Sequence, residues 1–139
     1  MIDIFIKQLS VFIENRTGRL AEITGVLADN GVNIKALSIA DTDDFGILRL
    51  IVDKTAEAYG ALQSSGFRVK ETEVVGITLG HRPGSLHQAL KQMEQNDIFI
   101  EYMYDYLSAE TGDTVMIIAK LQDQERAVKI LTELGILSG

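Results

Sequence analysis

An α+β fold built twice over is what this sequence predicts, and three observations carry the prediction. The chain repeats itself: Glu14-Asn15-Arg16-Thr17-Gly18-Arg19-Leu20 returns as Gly80-His81-Arg82-Pro83-Gly84-Ser85-Leu86. Asn30, Ile34 and Gly46 meet Asn96, Ile100 and Gly112 at that same spacing of 66 residues (18 to 84). Within each copy, stretches of period-two or β-branched character alternate with stretches whose apolar residues recur every three to four positions. Gly and Asn residues punctuate the boundaries. Leu62 with Leu131 and Gly66 with Gly135 match at 69 residues (66 to 135), which places a three-residue insertion near Leu121 to Glu125. A repeat of this length means two copies of one structural unit, expected over residues 1–70 and 71–139.

The elements follow in order. Ile2, Ile4 and Ile6 alternate with polar positions and lead into Val11, Phe12 and Ile13, so residues 2–13 read as a strand. Leu20, Ile23 and Leu27 have helical spacing between Gly18 and the stop signal Asn30-Gly31. Residues 32–40 and 45–52 read as strands around a turn at Asp41-Thr42-Asp43-Asp44. Residues 53–65 form a second helix with Ala58, Ala61 and Leu62 facing inward and Gly66 behind it. Residues 67–79 close the first copy and open the second. The second copy then gives a helix over 84–96, strands near 99–107 and 114–121, and a helix over 123–134. Each copy is therefore β-α-β-β-α-β, the ferredoxin-like arrangement of an antiparallel sheet with both helices on one face. Only four residues follow Gly135, so the last strand of the second copy is expected to be a stub. The long first strand is the candidate to extend past its own sheet and fill that place.

Composition excludes several functions. The absence of cysteine removes disulfides, thiol catalysis and thiolate metal sites. A net charge of −7 disfavours nucleic-acid binding, whose affinity comes largely from a basic face. No run reaches the roughly 18 apolar residues of a membrane span, and Met1-Ile2-Asp3-Ile4 lacks the basic start of a secretory signal. The expectation is a cytoplasmic protein without a membrane partner. His81 and His87 lack the i,i+4 spacing of a helical metal pair, and Asp41, Asp43 and Asp44 lack the remaining ligands of a calcium loop. No metal and no cofactor is expected. No nucleophile sits beside a recognisable base, so no catalytic residue is expected either.

The segment with binding chemistry is Asn15-Arg16-Thr17-Gly18-Arg19-Leu20, between the first strand and the first helix. Amides at a helix start lack internal partners and the helix dipole adds partial positive charge there, a setting that suits a small carboxylate. Asn33, opening the next strand beside Ile34, is expected at the same end of the sheet, where the two asparagines would hold a zwitterion. Arg49, amid Leu48, Leu50 and Ile51, is a further cation on the sheet. Tyr102, Tyr104 and Tyr106 alternate on one strand face and suit packing against another sheet.

Residues 10–20 followed by Leu27-Ala28-Asp29-Asn30-Gly31-Val32-Asn33-Ile34 resemble the ACT domain, a small regulatory module that binds amino acids, and the resemblance covers the whole chain as a tandem pair. Pro83-Gly84 matches the usual Pro-Gly of that family more closely than Thr17-Gly18. The resemblance implies ligand contacts from Asn15 and Asn33, with Ile13 where family members often carry a histidine, and the full ligand-binding set expected is Asn15, Arg16, Thr17, Gly18, Arg19, Leu20, Asn33 and Ile34. In the second copy His81 and Phe99 replace the two asparagines, so the expected site lies in the first copy and Phe99 is expected to cap its counterpart with a buried ring. The function implied is that of a non-catalytic regulator that binds an amino acid, assembles as a homodimer and acts on a metabolic enzyme or regulator by ligand-dependent docking. The N-terminal segment also resembles the regulatory subunit of acetolactate synthase. A ferredoxin-like acylphosphatase is the rival of another class, against which stands the missing Arg-ending glycine loop.

Overall fold

A computed structural model describes residues 5–14, 16–41, 44–106 and 113–135. These contain six strands, β1 (Phe5–Glu14), β2 (Ile34–Asp41), β3 (Phe45–Val52), β4 (Arg68–Gly80), β5 (Ile100–Asp105) and β6 (Thr114–Leu121). Four helices join them, α1 (Arg19–Asp29), α2 (Thr55–Ser64), α3 (Ser85–Gln95) and α4 (Gln124–Glu133). Thr42 and Asp43, half of the turn expected between β2 and β3, lie outside the described residues.

The chain forms two compact units, one of Lys7–Thr72 and one of the described residues within Met1–Ile6 and Glu73–Gly139. The strand order in the first unit is β2-β3-β1-β4. Both β1 and β2 run antiparallel to β3, with Glu14 opposite Phe45 and Ile34 opposite Val52. In the second unit the order is β1-β4-β6-β5, with β6 antiparallel to both of its neighbours. The chain division falls inside β1 and inside β4, so each strand serves both units along its length. This is the split βαβ order, and the α+β class expected from the repeat is the one observed.

The cores show the duplication residue by residue. Leu9, Val11 and Ile13 of β1 and Leu48, Leu50 and Val52 of β3 pack with Ile23, Leu27, Ala58 and Leu62 from the helices. The second core gathers Val75, Ile77, Ala119 and Leu121 with Met93, Ala127 and Leu131, and Ala89 of α3 is buried one turn before Met93. Each helix thus buries an i,i+4 pair, the spacing that places two side chains on one face. Phe5 packs against this second core, where the chain after α4 offers no strand among the described residues.

The helix ends repeat as well. Asn30 Nδ2 donates to the Val26 carbonyl and Asn96 Nδ2 to the Gln92 carbonyl, both at 2.8 Å. The Val32 amide then donates to Leu27 O and the Ile98 amide to Met93 O, both at 2.9 Å, closing a Schellman-type stop. The residue between them needs a left-handed backbone. Gly31 supplies it at φ 66°, but the second copy has Asp97 at φ 54°. A side chain there carries a steric cost of about 1 kcal/mol that glycine escapes. Asp97→Gly is therefore expected to raise stability by about 1 kcal/mol, read as a higher denaturant midpoint at unchanged slope.

Candidate ligand-binding site in the first unit

The β1–α1 turn is ordered by a left-handed glycine and by charge. Gly18 has φ 93° and its carbonyl accepts the first helical bond, from the Glu22 amide at 3.0 Å. Among the described residues no side chain caps α1, so amides of its first turn are available to a ligand. Arg19 donates to Glu22 at 2.9 Å, stacks over the Phe67 ring with 4.6 Å to the centroid, and approaches Glu14 at 4.0 Å. Arg16 lies 3.7 Å from both Glu14 and Glu22. Arg16, Thr17, Gly18 and Leu20 are exposed, while Arg19 is half-buried. Asn15 lies outside the described residues.

Asn33 is elsewhere. Its amide donates to Asp53 Oδ1 at 2.9 Å and its carbonyl accepts from the Asp53 amide at 3.1 Å, beyond the Ile34–Val52 pair. The turn lies beyond the Glu14–Phe45 pair. Phe45 and Val52 are the two ends of β3, and at ~3.3 Å per residue they are about 23 Å apart. The expectation of a common end is thus corrected. β1 and β2 are both antiparallel to β3 and so parallel to each other, and α1 must carry the chain back to the far end before β2 begins. The Asn33 side chain is exposed, and Ile34 packs its side chain against the first core.

A cavity of about 460 Å³ does open near the turn, within the first unit. Its walls are Phe12, Phe45, Ile47 and Phe67, with Glu14, Arg19 and Arg68 supplying charge. Of these only Arg19 was among the residues singled out in sequence. The others come from β1, β3 and the start of β4, and their convergence depends on strand register. Phe12 opposite Ile47 and Glu14 opposite Phe45 alternate with the core residues Ile13 and Leu48, which places them on the sheet face away from the helices.

Other residues considered in sequence find ordinary places. Arg49 sits opposite Ser10 and Ser38 and is half-buried with partners. Tyr102 and Tyr104 pair across to Lys120 and Ile118 on β6, and Tyr106 follows the strand. Phe99, expected to be a buried cap, is 55% exposed, because it precedes the outermost strand of its unit. His81 and His87 are both exposed. Among the described residues no three His, Asp or Glu side chains are grouped to hold a metal ion, and no helix is long and apolar enough to cross a membrane.

A family model described as an ACT domain pair matches residues 4–138. The chain belongs to this family. The ACT pair is similar to the crystal structure of protein BT0572 from Bacteroides thetaiotaomicron, at 38% identity and a TM-score of 0.88 over 96% of this chain and 90% of that one. It shares its fold with the ligand-free regulatory subunit of aspartate kinase from Thermus thermophilus, at 18% identity and a TM-score of 0.64 over 96% and 95% of the two chains. A stretch of 50 residues, 36% of this chain, is 34% identical to the acetolactate synthase small subunit of Haemophilus influenzae. A stretch of 49 residues, 35% of this chain, is 35% identical to the isozyme 3 small subunit of Escherichia coli. These matches span 31% and 30% of those proteins' own length.

Proposed function

We propose that this ACT pair is a non-catalytic regulatory protein that binds an amino acid and answers by changing how its units or subunits dock. The observation that carries the reading is the β1–α1 turn: a left-handed Gly18, uncapped helix amides and flanking arginines in a member of the ACT family. The ligand-binding residues proposed are Asn15, Arg16, Thr17, Gly18, Arg19 and Leu20, completed by Asn33 and Ile34. Because Asn33 is at the far end of its own sheet, the reading requires Asn33 of the partner subunit in a homodimer. The edge strand β2 supports this, since it leaves Leu37 44% and Ile39 46% exposed. Pairing two β2 strands antiparallel would bring one subunit's Asn33 toward the other's turn. A ligand bridging that seam shifts the docking equilibrium by its differential affinity, for which ~1 to 3 kcal/mol suffices.

The partner proposed is a cytoplasmic enzyme of amino-acid metabolism or its regulator. The local likeness to acetolactate synthase small subunits favours such a synthase as the first to test, by co-purification with its large subunit. A thermal-shift screen against the proteinogenic amino acids tests the ligand. A binder at 100 times its Kd adds about 2.7 kcal/mol of stability, and no shift with any amino acid would overturn the reading. Asn33→Ala is expected to weaken binding by about 1 to 3 kcal/mol, through the unpaired polar group left on the ligand. The exposed side chain leaves the fold intact. Titration calorimetry checks the affinity, and light scattering checks that the protein remains a dimer.

A further inference from the structure

The cavity in the first unit has a counterpart in the second, and the two differ in the chemistry of their walls. The second cavity, of about 290 Å³, is lined by Thr78, Leu79, Gly80, Ser85 and Gly135 among others. These are the repeat equivalents of Phe12, Ile13, Glu14, Arg19 and Gly66, all lining the first cavity. The hollow at the end of the opening strand is therefore a feature of the fold. Its chemistry is not: the second copy lacks the aromatic ring, the acid and the base at those positions. It also fills the space, because the Arg82 guanidinium lies 3.2 to 3.3 Å from where a side chain at Gly80 would begin.

In the first cavity the charges are arranged on aromatic walls. Arg68 lies over the Phe12 ring, 5.4 Å from its centroid, and makes no ion pair among the described residues. Arg19 is occupied with Glu22, but its Nε is buried without a hydrogen-bond partner among the described residues. Glu14 lines the same rim, its carboxylate 3.7 Å from Arg16 and 4.0 Å from Arg19, and Phe45 stands 58% exposed beside it. A guanidinium without an acidic partner recognises a carboxylate. A neighbouring carboxylate recognises an ammonium, and three aromatic rings with Ile47 receive an apolar body.

We infer that this cavity is a binding site for an α-amino acid with an apolar side chain: Arg68 takes the carboxylate, Glu14 takes the ammonium, and Phe12, Phe45, Ile47 and Phe67 enclose the side chain. The site lies within one unit, needs no second copy, and shares only Arg19 with the seam of the proposed homodimer. Titration calorimetry of the full chain with L-leucine, L-phenylalanine and L-serine tests it. Leucine or phenylalanine is expected to bind at least tenfold more tightly than serine. Phe12→Thr, the residue of the second copy, and Arg68→Gln are each expected to weaken that binding about tenfold or more. Both positions are exposed, so circular dichroism should show an unchanged fold. Glu14→Gln should weaken leucine and leave 4-methylpentanoate, which lacks the amine, as it was. Serine binding as tightly as leucine, 4-methylpentanoate binding as tightly as leucine, or no binding of leucine or phenylalanine at millimolar concentration would each overturn the inference. The two sites are separable: loss of binding in Asn33→Ala with Phe12→Thr and Arg68→Gln unaffected leaves the seam and removes the cavity, and the opposite pattern does the reverse.

Discussion

Leu62→Ala and Leu131→Ala are each expected to cost about 3 kcal/mol, and each to loosen its own unit only. Both side chains are fully buried, one turn beyond Ala58 on α2 and Ala127 on α4. Deleting a buried leucine's methyl-bearing carbons loses their transfer free energy and leaves a hollow that the neighbours fill incompletely, at a cost of about 2 to 5 kcal/mol. The upper part of that range applies where rigid β-structure limits collapse. The two leucines belong to separate clusters, Leu62 with Leu9, Leu50 and Phe67, and Leu131 with Val75, Ala119 and Leu121. Amide exchange should therefore accelerate in α1 and α2 for the first variant and in α3 and α4 for the second. Equal acceleration of all four helices by either variant would mean that the repeat has lost its separate cores.

Much of this architecture was readable because the duplication supplies each element with its own control. A helix suggested by Leu20, Ile23 and Leu27 gains weight when Leu86, Ala89 and Met93 repeat it, and the observed helices fall within two residues of the sequence-based limits. β3 and β6 were legible to the residue, because polar turn residues flank a predominantly apolar run in each, interrupted only by Arg49 in β3 and Lys120 near the end of β6. The site was less legible. Asn33 and the turn were expected at one end of the sheet but lie at opposite ends of β3, a consequence of parallel β1 and β2 that the element order already contained. Phe99 looked like a core residue by type, yet the edge position of β5 decides its exposure. The convergence of Phe12, Phe45 and Arg68 needed the register of three strands, and no local pattern encodes that. One signal was available: comparison of the two copies at Phe12/Thr78, Glu14/Gly80 and Arg19/Ser85 marks the positions where the halves differ in chemistry.

Phe5→Ala is expected to destabilise the second unit by about 2 kcal/mol and to leave the first almost unchanged, although residue 5 belongs to the first copy in sequence. In the first unit β4 brings Val69 against the core as the fourth strand next to β1. The equivalent stretch of the second copy would follow α4, where the described residues hold no strand. Phe5 packs against the second core and Ile6 lies over Gly76, where its Cδ1 is 2.7 Å from the position a Cβ would take. The start of β1 thus occupies the place of that fourth strand, next to β4. A fully buried phenylalanine costs about 3 to 5 kcal/mol on truncation to alanine, and the partial exposure of Phe5 reduces the expectation to the lower value given. Amide exchange resolved by segment reads the effect, with α3, α4 and β6 exchanging faster and α1, α2 and β3 holding their protection. A substitution that loosened only the first unit would show that β1 serves its own copy alone and that the second sheet is closed by other means.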